Sequence, residues 1–137
     1  MASTALKLCT EATVEFRHGE VGGFGEGSEC GDCIQVKDSS QLSIESSLIS
    51  HADKHKRGLN AYDGGFCYAK GCSFVNNGFG VSVDGECHVR LEQCSIKMSR
   101  AAAFSCQYRG NTAMMELDNV EVEGMSLWFN ADRPILR

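Results

Sequence analysis

The stretch "ECHVRLEQCSIKM", residues 86–98, places its apolar side chains at Val89, Leu91, Cys94 and Ile96, in steps of two, three and two. An amphipathic helix needs steps of three and four, and one continuous strand needs unbroken steps of two. The stretch therefore reads as two short strands joined by a bend at Gln93.

The same spacing recurs along the chain. It picks out Val14, Phe16, Gly19 and Val21; Leu42, Ile44, Ser47 and Ile49; Cys67, Ala69, Cys72 and Phe74; and Met115, Leu117, Val120 and Val122. The five copies are offset by 28, 25, 22 and 26 residues. A shorter alternating pair runs between them: Leu6 and Leu8, Ile34 and Val36, Leu59 and Ala61, Val81 and Val83, Ala103 and Ser105, Phe129 and Ala131. Alternation of period two marks half-buried strands whose successive side chains face opposite ways. Ser46, Gly71, Gln93 and Asn119 stand between runs, where the chain must turn; Gly and Asn tolerate the left-handed backbone that a bend requires. Three short strands and three corners in 22 to 28 residues describe one coil of a parallel β-solenoid.

In such a stack equivalent residues lie roughly 4.8 Å apart, so each column of the repeat is a physical ladder. One inward column is Phe16, Ile44, Ala69, Leu91 and Leu117, and another is Val21, Ile49, Phe74, Ile96 and Val122. Ile34, Leu59, Val81, Ala103 and Phe129 close the core from the third side. The outward column Glu45, Lys70, Glu92 and Asp118 alternates in sign until Glu92 meets Asp118. It reads as cross-strand charge pairing; the alternative, an acid and base pair, would need a cleft and perturbed pKa values.

Over residues 5–131 this repeat resembles the right-handed parallel β-helix of the pectate-lyase-like superfamily, whose repeats also occur in F-box and Shc-binding adaptor proteins. The resemblance implies an all-β, right-handed parallel β-helix of about five coils with three short strands each. It forms a single domain over residues 1–137, either complete or a piece of a longer solenoid or multidomain protein. It rests on periodicity, and a fold of this breadth carries a menu of functions.

Composition narrows that menu. With 137 residues, 42% hydrophobic and 23% charged, the chain has the make-up of one globular domain. A net charge of -5 without clustered Lys or Arg argues against a nucleic-acid surface. The opening "MASTALKLCTEATVEF" has no apolar signal-peptide core, and nowhere do eighteen apolar residues run together, so no membrane association is expected. The absence of a signal and the thiols placed in the core favour an intracellular, reducing setting.

The eight cysteines would form a disulfide framework in a secreted domain. Here Cys67, Cys72 and Cys94 fall in inward columns, Cys72 directly below Cys94, and read as buried free thiols. A disulfide between in-register neighbours would require parallel side chains to turn toward each other. Cys30 and Cys33 in "ECGDC" form the only CxxC. Without a second ligand pair or a following helix start, they read as loop cysteines with no cofactor, the minor alternatives being redox chemistry or a metal completed by nearby histidines.

Insertions locate the candidate site. One corner takes seven residues from Phe74 to Val81, from Ile96 to Ala103 and from Val122 to Phe129, but thirteen from Val21 to Ile34 and ten from Ile49 to Leu59. Two adjacent coils thus carry their extra residues on one edge, in the loops "GGFGEGSECGDC" (22–33) and "SHADKHKRG" (50–58). Loops on a rigid scaffold are where binding residues concentrate. Stacking would bring Glu26, Glu29 and Asp32 near His51, Asp53, His55 and Arg57, as solvated loops neutralising each other or as a ligand or partner site. The His51-x-Asp53-x-His55 spacing beside Cys30 or Cys33 keeps a metal in play there as the minor alternative. A third insertion, ten residues from Ser105 to Met115 where other coils use six, contains Tyr108, Arg109 and Asn111.

The expected function is a non-catalytic β-helix module that binds a protein or a carbohydrate through its flat faces and these loops. The alternative is a polysaccharide lyase or glycoside hydrolase of the pectate-lyase-like type. The resemblance implies that such enzymes use aspartates on one strand face with an Arg or Lys base, or paired aspartates near a histidine, and no catalytic set of that kind can be placed here. The open ends of a solenoid expose strand edges. They predict either further chain or end-to-end homo-oligomers, with "SLWFNADRPILR" as a small lid.

Overall fold

The computed structural model describes residues 4–23, 31–53, 55–107, 113–123, 129–131 and 135–136. The chain winds through five strand triplets. These are β1 (Leu6–Leu8), β2 (Thr13–Arg17) and β3 (Glu20–Gly22); β4 (Ile34–Val36), β5 (Gln41–Glu45) and β6 (Leu48–Ser50); β7 (Arg57–Tyr62), β8 (Gly65–Lys70) and β9 (Ser73–Val75); β10 (Phe79–Asp84), β11 (Cys87–Glu92) and β12 (Ser95–Lys97); and β13 (Ala102–Gln107), β14 (Ala113–Asp118) and β15 (Glu121–Glu123). Two more strands, β16 (Phe129–Ala131) and β17 (Ile135–Leu136), begin a sixth. Every third strand pairs in parallel, giving three sheets in the orders β1-β4-β7-β10-β13-β16, β2-β5-β8-β11-β14-β17 and β3-β6-β9-β12-β15. The result is a right-handed all-β parallel solenoid of about four turns, the five triplets being separated by four windings.

The register follows the sequence columns. Phe16, Ile44, Ala69, Leu91 and Leu117 are successive partners in the second sheet, and Val21, Ile49, Phe74, Ile96 and Val122 in the third. From the second triplet to the fourth these side chains are fully enclosed, while Phe16, Leu117 and Val122 at the outer triplets are partly covered. A parallel sheet cannot turn with a hairpin, so each coil needs a bend that leaves the ladder intact.

That bend is built the same way in every coil. His18, Ser46, Gly71, Gln93 and Asn119 all have left-handed backbone, with φ between 49° and 64°. The amide of each of the first four donates to the carbonyl one residue before the next coil's corner: His18 to Glu45 at 3.0 Å, and Ser46 to Lys70, Gly71 to Glu92 and Gln93 to Asp118 at 2.9 Å. The corner thus continues the hydrogen-bond ladder at the point where the strand ends.

Two details depart from the sequence reading. In the first sheet Val81 pairs with Phe104 and Val83 with Cys106, so the inward column continues through Phe104 rather than Ala103. Ala102, Ala103 and Phe104 are all fully buried, which is why the alternation pointed one residue early. The corner from Ile96 therefore takes eight residues instead of seven, and the stretch to Met115 runs from Cys106. The C-terminal stretch also differs from a lid: Phe129 pairs with Phe104, and Ile135 and Leu136 pair with Met114 and Met115, continuing two sheets in register.

The thiols stand where the columns put them. Cys67, Cys72 and Cys94 are buried, and the Cys94 thiol donates to the carbonyls of Ala69 and Glu92 at 3.4 Å. Cys72 does the same to Ile44 and Lys70 at 3.5 Å. The neighbouring Cys94 sulfur and burial push the Cys72 thiol up from its ordinary range, and burial does the same to Cys67. Both therefore remain protonated fillers. Cys33, a loop cysteine, is also fully buried, donating to the Ser50 carbonyl at 3.3 Å. Its CxxC mate Cys30 lies outside the described residues.

Candidate binding surfaces

The two inserted loops meet through Asp32. Its carboxylate is 4% exposed and accepts hydrogen bonds from the Arg57 amide at 2.9 Å, from Asn60 at 3.0 Å and from Gln35 at 3.0 Å. The Arg57 guanidinium stands 3.9 Å away. The expected approach of acidic and basic loops is real at this pair. It forms the foundation of the edge, because a carboxylate this enclosed needs every one of those donors. Tyr62 extends the network by donating to Gln35 at 3.4 Å.

Asn77, fully buried in the next coil, ties down the second loop. Its side-chain oxygen accepts the Ala52 amide at 2.9 Å and its nitrogen donates to the Ile49 carbonyl at 3.2 Å. Arg100 adds a bond to the Ala52 carbonyl at 2.6 Å. Beyond this anchor Asp53 closes a turn, accepting the His55 amide at 3.1 Å, while its own carbonyl accepts the Lys56 amide at 2.8 Å. His55 and Lys56 are exposed at the tip. His51, half-buried, shares a 2.9 Å hydrogen bond between its Nδ1 and the Ser50 hydroxyl. Glu26 and Glu29 lie outside the described residues. So do Tyr108, Arg109 and Asn111 of the third insertion. Among the described residues no three His, Cys, Asp or Glu side chains come close enough to hold a metal ion.

A second surface emerges on the outward face of the second sheet, where sequence reasoning followed a single column. Two columns adjoin it: Thr13, Gln41, Phe66, His88, Met114, and Glu15, Ser43, Tyr68, Arg90, Glu116. Arg90 reaches Glu116 at 3.1 Å and Asp118 at 3.7 Å, and His88 lies 3.5 Å from the other Glu116 oxygen. The Tyr68 hydroxyl donates to Glu92. In the crowded pair, Asp118 is thus paired with Arg90 and Glu92 accepts a hydrogen bond from Tyr68, both from one column over.

The electrostatics follow from these contacts. The Arg90 guanidinium, with His88 assisting against partial desolvation, holds the Glu116 carboxyl below the usual carboxylate range. The Glu92 carboxylate pushes the Tyr68 phenol up. A carboxylate held down by a cation is a poor general acid at neutral pH.

Phe66 is 36% exposed and meets the His88 ring edge-on, with centroids 5.0 Å apart. It stands as a ridge between two hollows. One, of about 330 Å3, runs along Ser39, Gly64, Glu86 and His88; the other, of about 180 Å3, lies over Thr13, Gln41 and Ser43. The step arises because the second coil carries short outward side chains where the third carries Phe66 and Tyr68. That signal was present in "GFCYAK": once Cys67 and Ala69 face inward, both aromatics must face out.

The family model described as "Right handed beta helix region" matches residues 14–127. The chain belongs to this family. No curated protein and no solved structure shows significant similarity to it. As a right handed beta helix protein it shares a scaffold, and its chemistry must be argued from its own side chains.

Proposed function

We propose that the protein is a non-catalytic binding module that holds a partner protein or a glycan at the edge built from loops 22–33 and 50–58. The observation that carries this reading is the buried Asp32 carboxylate joining both loops through Arg57, Asn60 and Gln35. It fixes the base of the edge and leaves the turn at Asp53 and His55 projecting, as pre-organised binding surfaces require. His51, Asp53 and His55 are the contact residues, Glu26 and Glu29 are included from their place in the loop sequence alone, and Asp32 and Arg57 position the described part of the edge. The charge pattern on the second sheet points the same way, since Glu92, Glu116 and Asp118 are engaged by Tyr68, Arg90 and His88.

The test is a glycan array together with protein capture, comparing the native chain with His51→Ala/His55→Ala. These two side chains lie outside the Asp32 anchor, and an unchanged circular dichroism spectrum of the variant checks that it keeps its fold. Retention of one protein or glycan class by the native chain and its loss from the variant support the edge site. Equal retention removes the edge from the proposal. Sustained calcium-dependent release of unsaturated products from pectate or alginate would instead make the chain an enzyme.

A further inference from the structure

The hollow of about 180 Å3 beside Phe66 lies on a different face from the edge loops. It is lined by Thr13, Glu15, Gln41, Ser43, Phe66 and Tyr68 over a floor of Val14 and Leu42. Pockets for drug-sized ligands run from about 300 Å3 upward. This one has room for a single side chain or a comparable group.

Its chemistry is selective. Two aromatic rings form one wall, and Glu15 is the one carboxylate among the lining residues. Thr13, Gln41 and Ser43 each offer an oxygen acceptor. No cation lines it. Aromatic rings attract cations through their quadrupole, and arginine does this best because its planar guanidinium stacks on a ring while donating in plane. Arginine carries five donors and no acceptor, which matches a wall of oxygens and one negative charge. Glu15 does have a cation nearby, Arg17 at 3.7 Å, but their side chains are 70% and 62% exposed. An ion pair that open to water is weak and exchangeable. The wider charge balance agrees, with a net charge of -5 for the whole chain.

We propose that this groove is a receptor for one arginine side chain projecting from a partner protein. Phe66 and Tyr68 supply the stacking wall, Glu15 the counter-charge, and Gln41 and Ser43 the in-plane acceptors. This site is independent of the edge loops, and the two can fail separately.

The probe is the capped peptide acetyl-Gly-Gly-Arg-Gly-Gly-amide, titrated into the full chain labelled with nitrogen-15. A single side-chain contact binds weakly, so the expected result is shifts of the Gln41, Ser43, Phe66 and Tyr68 amides saturating in the millimolar range. The same peptide with citrulline, isosteric but neutral, binds at least about fivefold more weakly if the cation is recognised. Glu15→Gln and Phe66→Leu each reduce the arginine affinity. Both positions face outward, so these variants keep the fold, and unchanged amide shifts elsewhere in their spectra check this. The proposal is overturned if the arginine peptide leaves those four amides unmoved, if citrulline binds equally well, or if cellopentaose occupies the groove in preference to the peptide. The His51→Ala/His55→Ala variant should bind the arginine peptide like the native chain, and a loss there would equally overturn a separate receptor.

Discussion

At the scale of single residues, the solenoid assigns each side chain one of two fates, and the cysteines show how sharply. Cys33, Cys67, Cys72, Cys87 and Cys94 are buried, whereas Cys9 is exposed. Thiol alkylation proceeds through a thiolate that the reagent can reach, and burial blocks that access, while Cys67 and Cys72 are in addition held protonated. Brief N-ethylmaleimide treatment of the native protein at pH 8 should therefore label Cys9 and leave those five unmodified until denaturant is added. Peptide mass spectrometry reads this out; rapid native labelling of Cys72 or Cys94 would contradict their inward placement. The inward fate of Cys67, Cys72 and Cys94 was legible because each falls in a column with larger apolar residues. Cys33 was not, because it lies in the inserted loop, outside the period. Its burial comes from the contact of Ser50 and Asn77 with its sulfur, which no local pattern announces. Asp32 is similar: a carboxylate in a glycine-rich loop reads as solvated until its donors Arg57 and Asn60 from the next coil are known.

At the scale of the strand and its corner, glycine has two separable roles. Gly71 occupies the left-handed corner with φ of 64°, where a Cβ would meet only ordinary contacts, its nearest neighbour being the Ser46 hydroxyl at 3.6 Å. Gly65 begins β8, and there a Cβ would stand 2.2 Å from the Val36 carbonyl oxygen. Gly71→Ala should cost only the backbone term, roughly 1 kcal/mol, since His18, Ser46, Gln93 and Asn119 accept the same conformation. Gly65→Ala must displace a strand of the neighbouring coil and should cost clearly more. Urea denaturation of the two variants under identical conditions separates them, and equal losses would show that backbone conformation alone governs both sites. The corner itself could be read in the sequence from the broken rhythm at Gln93, and the register of the second and third sheets followed from it. Register in the first sheet slipped at Ala103, because a run of three buried residues erases the alternation that defines a face. The aromatic face was equally readable, yet it lies on the outward side, where a search for core periodicity does not look.

At the scale of the whole molecule, stability in a solenoid is distributed along its axis, each coil contacting its neighbours above and below. Leu91 and Leu117 are register partners, so they mark equivalent points of adjacent coils. Deleting residues 91–116 would join Arg90 to Leu117 and remove one complete winding, with the inward and outward phases of every remaining strand preserved. The excised stretch leaves Asp32, Asn77 and the edge loops in place, although the Arg100 bond to Ala52 is lost. It also retains Thr13, Glu15, Gln41, Ser43, Phe66 and Tyr68, although the Tyr68 hydroxyl loses its acceptor Glu92, whose register position Asp118 takes over. Because the denaturant slope scales with the surface exposed on unfolding, the shortened chain should unfold in one transition with a slope lower by about a fifth. Its circular dichroism should remain that of a β protein. The arginine peptide should still bind, since its groove belongs to the first three coils alone. If the shortened chain instead failed to fold while single-residue core variants survived, the coils would not be interchangeable units, and the end that carries β16 and β17 would be acting as a fixed cap rather than as one more winding.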